Sequence, residues 1–377
     1  MASNLYNKSI QIIKANQAQT GAYIASPNFS NYQYCWLRDG SFIAHAMDLA
    51  GEYDSARAFY RWVGKVIKRY AHKVDNLEKN LLKGAPIGNN SYLHTRYTIS
   101  GQEETEEHNW GNFQVDGYGS WLWAFQNHIR ITRDFLLMNE LKEEIYTNLR
   151  YLRLAWKLPS YDCWEENPEY LHSYSLGAIH AGFASIEKMS TMGLKGINQD
   201  RVKKDSQEVK DFLLRYGIHD GRLVKLIWPR RWGEEPGPVI ESGVDASLMA
   251  LAIPFEVVSI KDPVFITTID AIESNLHIPD GGVYRYELDT YYGGGEWLLL
   301  TAWLGWYYSR SGQISKAEKL RSWIEGKSDS QGNLPEQIND HLLAPECYPY
   351  WLTRWGPVAS PLLWSHAMYI ILEKELS

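Results

Sequence analysis

The sequence predicts an all-α fold: six helical hairpins closed into an (α/α)6 barrel, with the active site on the rim that carries the long loops. Three observations predict it. Apolar residues recur at helical spacing along most of the chain, while strand-like alternation is scarce. Short and long connections alternate between the helical segments. The long connections are rich in Gly, Pro and aromatic residues, a composition that suits functional loops better than disorder.

The first helix is expected over 4–17, where Leu5, Ile10, Ile12 and Ile13 stand among polar residues. Helices over 38–51 and 53–72 follow, separated by the Gly51-Glu52 turn. The pattern continues over 114–131 and 133–156, then 173–192 and 198–216, then 243–253 and 262–276. Segments 295–310 and 313–325 meet at Ser311-Gly312, and the last helix is expected over 361–375. Short connections between helices favour antiparallel neighbours. The long ones, near 18–37, 73–113, 157–172, 217–242, 277–294 and 326–360, then all fall on one rim. No linker or low-complexity tract interrupts the series, so a single catalytic domain over 1–377 is expected.

Bulk composition excludes several classes of function. With 38 Lys+Arg against 45 Asp+Glu, the net charge of -7 argues against a nucleic-acid partner or an anionic membrane surface. No apolar run approaches the ~18 residues that would span a bilayer. The N-terminus lacks the continuous apolar core of a secretory signal. Cys35, Cys163 and Cys347 are odd in number and far apart, which suits reduced thiols in a cytoplasm and offers no zinc spacing. Sixteen Trp and 25 Tyr pair apolar faces with polar handles, the furniture of a wet, concave site for a ring-shaped ligand, with carbohydrate the first reading.

The candidate chemistry lies on the predicted rim. In YDCWEENPEYLHSYS, Glu165 and Glu166 follow Trp164 in a turn-rich stretch. An apolar wall and a neighbouring carboxylate both disfavour ionisation, so Glu165 is expected to hold a proton and act as an acid. The same dipeptide also fits a surface pair at a helix N-terminus. A partner carboxylate is available in GNLPEQIND, where Glu336 follows Pro335. Two carboxyl groups, one protonated and one ionised, can cleave a glycosidic bond. Arg38-Asp39, just after Trp36, offers donors and acceptors for adjacent sugar hydroxyls, or a plain ion pair at a helix start. Arg285 and Asp289 pose the same choice. Trp36, Trp110, Trp297 and Trp364 fit either a pocket wall or the core. The eleven histidines show no metal-binding spacing, and GGG at 293–295 lacks a phosphate-loop signature.

Six segments then occur in a telling order: YQYCWLRD, WGNFQVDG, CWEE, RYELDTYYGGGEW, LPEQ and LLWSHA. From about residue 26 to the C-terminus the chain resembles glycoside hydrolase family 15, the glucoamylase, glucodextranase and isomaltose glucohydrolase group. The resemblance implies an (α/α)6 barrel that hydrolyses α-glucosidic bonds from the non-reducing end with inversion, without a cofactor. It implies Glu165 as general acid and Glu336 as general base. Arg38 and Asp39 would grip the terminal glucose, and Arg285 and Glu166 would contact sugar hydroxyls. Trp36, Trp110 and Trp364 would line the pocket, and Tyr32 would lie near the attacking water. Inversion calls for carboxyl groups roughly 6.5–9.5 Å apart.

The chain departs from longer relatives in lacking a β-sandwich or starch-binding segment, and it carries Glu296 within GGGEW. Short isomalto- or malto-oligosaccharides are therefore the expected substrates, leaning to the α-1,6 linkage, with α-1,4 glucosides and α,α-trehalose as alternatives. A sugar isomerase or epimerase on the same barrel is a reading of another class, as is a sugar-binding protein without turnover.

Overall fold

The structure, a computed structural model, describes residues 4–104, 110–229 and 235–377. Thirteen α-helices lie among the described residues. They are α1 (Asn4–Ala15), α2 (Leu37–Leu49), α3 (Tyr53–Lys83), α4 (Asp116–Thr132), α5 (Phe135–Glu140), α6 (Lys142–Ala155) and α7 (Ser173–Thr191). The second half holds α8 (Gln199–Tyr216), α9 (Pro263–Asn275), α10 (Leu298–Arg310), α11 (Ile314–Gly326), α12 (Tyr348–Trp355) and α13 (Leu363–Glu375).

The innermost helices bury nearly every residue, polar ones included. Every residue of α2 from Leu37 to Asp48 is buried, as is every residue of α10 from Leu298 to Tyr308. The inner elements form a closed ring. α2 packs on α4, α4 on α7, α7 on the 3₁₀ helix Ala246–Leu251, that helix on α10, α10 on α13, and α13 back on α2. Small residues set how closely the ring members approach. A Cβ on Gly119 of α4 would sit 2.2 Å from the carbonyl oxygen of Ala178 in α7, so only glycine fits that crossing.

The outer helices carry one apolar stripe each. α8 buries Val202, Asp205, Ser206, Val209 and Leu213, and α11 buries Ala317, Leu320 and Ile324, the three-and-four spacing of a helix face. α3 packs on α2, α8 on α7, α11 on α10, and α1 on α13, so the first and last helices close the final hairpin.

Four local differences from the sequence reading have physical causes. The element expected over 243–253 is a six-residue 3₁₀ helix, Ala246–Leu251, started by the Asp245 side chain accepting from Ser247 N and followed closely by Pro254, which cannot continue it. The segment 133–156 is broken at Leu141 into α5 and α6. α3 runs on to Lys83 and stops at Gly84 in the left-handed conformation, so the second long loop is shorter than expected. α12 lies inside the last long loop; its eight residues, YPYWLTRW, are too few and too aromatic for periodicity to betray them.

Short antiparallel strand pairs stitch the loops together. Tyr34–Trp36 pairs with Arg96–Thr98 in the register Trp36↔Arg96, and Glu296–Trp297 pairs with Gln337–Ile338. Leu171–His172 pairs with Leu226–Trp228. The loops thus form a built rim over the N-terminal ends of the inner helices. No described helix is long and apolar enough to cross a membrane.

Candidate active site

The rim encloses a cavity of about 810 Å³, and all ten residues to which the family resemblance gives a role line it, while the further candidate Asp289 does not. Glu165 and Glu336, 171 positions apart in the chain, share this one hollow with Tyr32, Trp36, Arg38 and Asp39. Trp110, Glu166, Arg285 and Trp364 complete the set.

A tight turn aims the first carboxylate. One oxygen of Asp162, Oδ1, accepts the backbone N–H of Trp164 at 2.9 Å and of Glu166 at 2.8 Å. Between them Glu165 takes φ 70°, a left-handed conformation that a non-glycine residue holds only when its surroundings impose it. The turn makes adjacent side chains diverge. Glu165 Oε1 accepts the indole N–H of Trp36 at 2.5 Å. Glu166 turns to Tyr286, whose hydroxyl lies 2.8 Å from both of its carboxylate oxygens. Trp164 sends its own indole N–H to Asp245, at 3.0 Å from Oδ2. The hydrogen-bond partner of Glu165 is therefore a tryptophan from the first long loop, not the one beside it in sequence.

Glu336 is 3% exposed and held from both sides of its backbone: its N–H donates to Ala359 O at 2.9 Å, and its carbonyl accepts from Leu298 N at the start of α10. The Tyr32 hydroxyl donates to Glu336 Oε1 at 3.0 Å and sits 2.9 Å from the Tyr291 hydroxyl. Oε2 of Glu336 is buried without a hydrogen-bond partner in the protein. Burial pushes the carboxyl up to about 8, against the downward pull of the Tyr32 hydrogen bond and the Arg285 cation.

The sugar-gripping candidates are held by neighbouring polar groups. Arg38 donates to Gln114 Oε1 and Asp116 Oδ2, both at 3.0 Å, and lies 5.6 Å from the centre of the Trp364 ring. Asp39 Oδ1 stands 3.5 Å from Arg38 Nε, buried and without a hydrogen bond in the protein. Burial raises the Asp39 carboxyl to about 7, with Arg38 pulling down and Glu165 pushing up. Arg285 does form the intraloop ion pair, at 2.8 and 2.6 Å to Asp289, and that pair fixes its guanidinium 3.8 Å from Glu166 at the cavity wall. Trp110 meets Trp36 edge-on and stacks on Trp355 of α12 at 6.3 Å. Trp297 also lines the cavity.

Sequence reasoning missed the supporting residues. Asp162, Gln114, Asp116, Tyr286 and Tyr291 all lie within the polar–aromatic segments YDCWEENPEYLHSYS, WGNFQVDG and RYELDTYYGGGEW, and membership of those segments is the signal available. Arg96 gave none: its guanidinium lies 3.8 Å from the centre of Trp110 and pairs with Glu104 at 2.5 Å inside the cavity wall, placed there only by strand pairing. Lys225 is likewise isolated in sequence and central in space.

A 373-residue match at 37% identity, covering 99% of this chain and 92% of the relative, is to an isomaltose glucohydrolase of Kribbella flavida. A trehalase of Sulfolobus acidocaldarius is 23% identical over 84% of this chain, which spans about half (53%) of that protein's length. Among solved structures, a glycosidase at 37% identity superposes with a TM-score of 0.89, over 99% of this chain and 96% of that one. The model of glycosyl hydrolases family 15 matches residues 1–373, and the chain belongs to that family of glycoside hydrolases.

Proposed function

We propose that the enzyme is an inverting, exo-acting α-glucosidase that releases β-glucose from the non-reducing end of short α-glucosides, α-1,6-linked isomaltose and isomalto-oligosaccharides foremost. The observation that carries this reading is that Glu165 and Glu336 share one cavity, each with one oxygen hydrogen-bonded by an aromatic side chain of the first long loop. An indole N–H only donates, so Oε1 of Glu165 is an acceptor and a proton on this carboxyl sits on Oε2. Glu336 likewise spends Oε1 on Tyr32 and keeps Oε2 free to take a proton.

The roles follow. Glu165 gives its proton to the glycosidic oxygen as the C1–O bond breaks. Glu336 removes a proton from a water that attacks C1 from the opposite face, which inverts the anomeric centre. Arg38 and Asp39 hold the terminal glucose, with Trp36, Trp110 and Trp364 as its walls. Arg285 and Glu166 contact hydroxyls near the cleaved bond, and Tyr32 orients the water through its bond to Glu336. The isomaltose glucohydrolase likeness over nearly the whole of both chains supports the α-1,6 preference. Residues 1–377 act as one catalytic domain, and three free thiols, Cys35, Cys163 and Cys347, support a cytoplasmic setting.

Proton NMR during hydrolysis of isomaltose, maltose and trehalose in parallel tests the reading. β-Glucose is expected before mutarotation, fastest from isomaltose. From isomaltose and maltose, α-glucose in excess of the share carried by the freed reducing-end sugar overturns inversion, as does anything but equal α- and β-glucose from trehalose, and faster release from maltose or trehalose overturns the linkage.

A further inference from the structure

Lys225 sits where no cavity-lining role accounts for it. It is 7% exposed, lies outside the cavity, and is anchored at the start of α7 by its carbonyl accepting from Ser173 N at 3.1 Å. Its ammonium faces three carboxylates from two separate segments: Asp245 Oδ2 at 3.1 Å, Asp162 Oδ2 at 3.4 Å and Glu166 Oε2 at 3.7 Å. The ring of Tyr286 covers it at 3.9 Å.

Each contact leads back to the turn that carries Glu165. Asp162 Oδ1 holds the two N–H groups on either side of Glu165, while its Oδ2 is buried with no hydrogen bond, leaving Lys225 as the charge that balances it. Asp245 holds Trp164, the residue before Glu165, and Glu166 is the residue after it. One cation therefore ties down both flanks of a strained turn. Burying Asp162 and Asp245 together, beside the half-buried Glu166, without a cation would be prohibitive, and each would seek a proton or water instead.

We propose that Lys225 is a positioning residue of the proton donor: it locks the Asp162 turn so that the Glu165 carboxyl meets the leaving oxygen. This rests on the assignment of Glu165 as general acid. Burial would raise Asp162, but the Lys225 ammonium, His172 and the two backbone donors outweigh it and hold that carboxyl below its ordinary value, as an anionic clasp requires. Lys225 itself is raised by the three carboxylates despite its burial, so it stays charged.

The test compares a substrate whose leaving group needs a proton with one that does not. Isomaltose needs it; α-glucosyl fluoride departs as a weakly basic anion and needs little. In Lys225→Met, kcat/KM for isomaltose should fall about 100-fold while that for the fluoride falls less than about 10-fold, the span that general acid catalysis supplies. Lys225→Arg should restore most of the isomaltose rate. Should the methionine variant fail to fold, Asp162→Asn weakens the same ion pair and should show the same split. Parallel losses on both substrates in folded protein, or no loss on isomaltose, overturn the proposal. Wild-type protein that hydrolyses neither substrate sinks the glucosidase reading itself, a result distinct from either.

Discussion

Trp36 and Glu165 are joined by a single hydrogen bond, the indole N–H 2.5 Å from carboxylate Oε1, across 129 positions of chain. Because the donor cannot reverse its role, the bond distinguishes the two oxygens and fixes the plane in which a proton is offered. The Trp36 ring also meets Tyr32 edge-on at 5.5 Å, and Tyr32 holds Glu336. Both carboxylates therefore take their orientation from one aromatic pair on the first long loop.

Trp36→Phe keeps an aromatic wall and removes the donor. A hydrogen bond to an ionisable carboxyl contributes about 1.5–3 kcal/mol, so kcat should fall on the order of 10–100-fold with KM changed little. Steady-state kinetics on isomaltose checks this. A rise in KM at unchanged kcat would mean that Trp36 only binds sugar.

How far these features were legible in the sequence depends on how local their cause is. The ring of helices could be read because apolar residues recur at helical spacing and short turns alternate with long loops along the chain. Glu165 and Glu336 could be placed on one rim because the long loops alternate with short turns. The Trp36 bond to Glu165 could not, since Trp164 stands next to Glu165 in sequence and only the turn at φ 70° sends the two apart. Arg96 reaches the site through strand register, which no local periodicity encodes in a three-residue strand. α12 was hidden by its length, and the 3₁₀ helix Ala246–Leu251 by an apolar pattern that α and 3₁₀ geometry share.

Tyr32→Phe isolates the effect of hydrogen bonding on the base. Burial raises the Glu336 carboxyl and the Tyr32 hydroxyl opposes that rise. A base must be ionised, so activity climbs as pH passes upward through the Glu336 pKa. Removing the hydroxyl removes a donor that favours the carboxylate, which moves the pKa further up. The acid limb of the kcat/KM profile should therefore shift to higher pH by about one unit, the equivalent of about 1.4 kcal/mol. An acid limb that stays in place, or moves down, contradicts the assignment of Glu336 as base.

The same burial makes Glu336 a cost to stability at high pH. Its folded value of about 8 lies above the ordinary 4.5. Between those values the folded chain keeps a proton that the unfolded chain has lost, so stability falls as pH rises through the window and levels off above it. Glu336→Gln cannot ionise and escapes this loss. Its Tm should exceed that of wild type by several degrees near pH 9 and differ little near pH 4, while turnover of isomaltose drops by at least about 100-fold. A scanning calorimetry series across pH checks it; an advantage confined to low pH would show the sign to be wrong.

The inner ring supplies a prediction independent of chemistry. At Gly119 an added methyl would meet three backbone atoms of α7: Ala178 O at 2.2 Å, Ala178 C at 2.5 Å and Ile179 N at 2.8 Å. No side chain can rotate away to relieve that clash, so α4 and α7 must separate and the ring must open locally. Overpacking of this kind costs about 1–3 kcal/mol and sometimes more, and Gly119→Ala belongs at the upper end. Gly326 closes α11, and a methyl there would meet nothing within 4 Å. Gly326→Ala should therefore be neutral or stabilise by about 0.4–1 kcal/mol through the unfolded chain. Urea titrations of the two variants should separate them clearly, and equal midpoints would mean that α4 and α7 do not cross at Gly119.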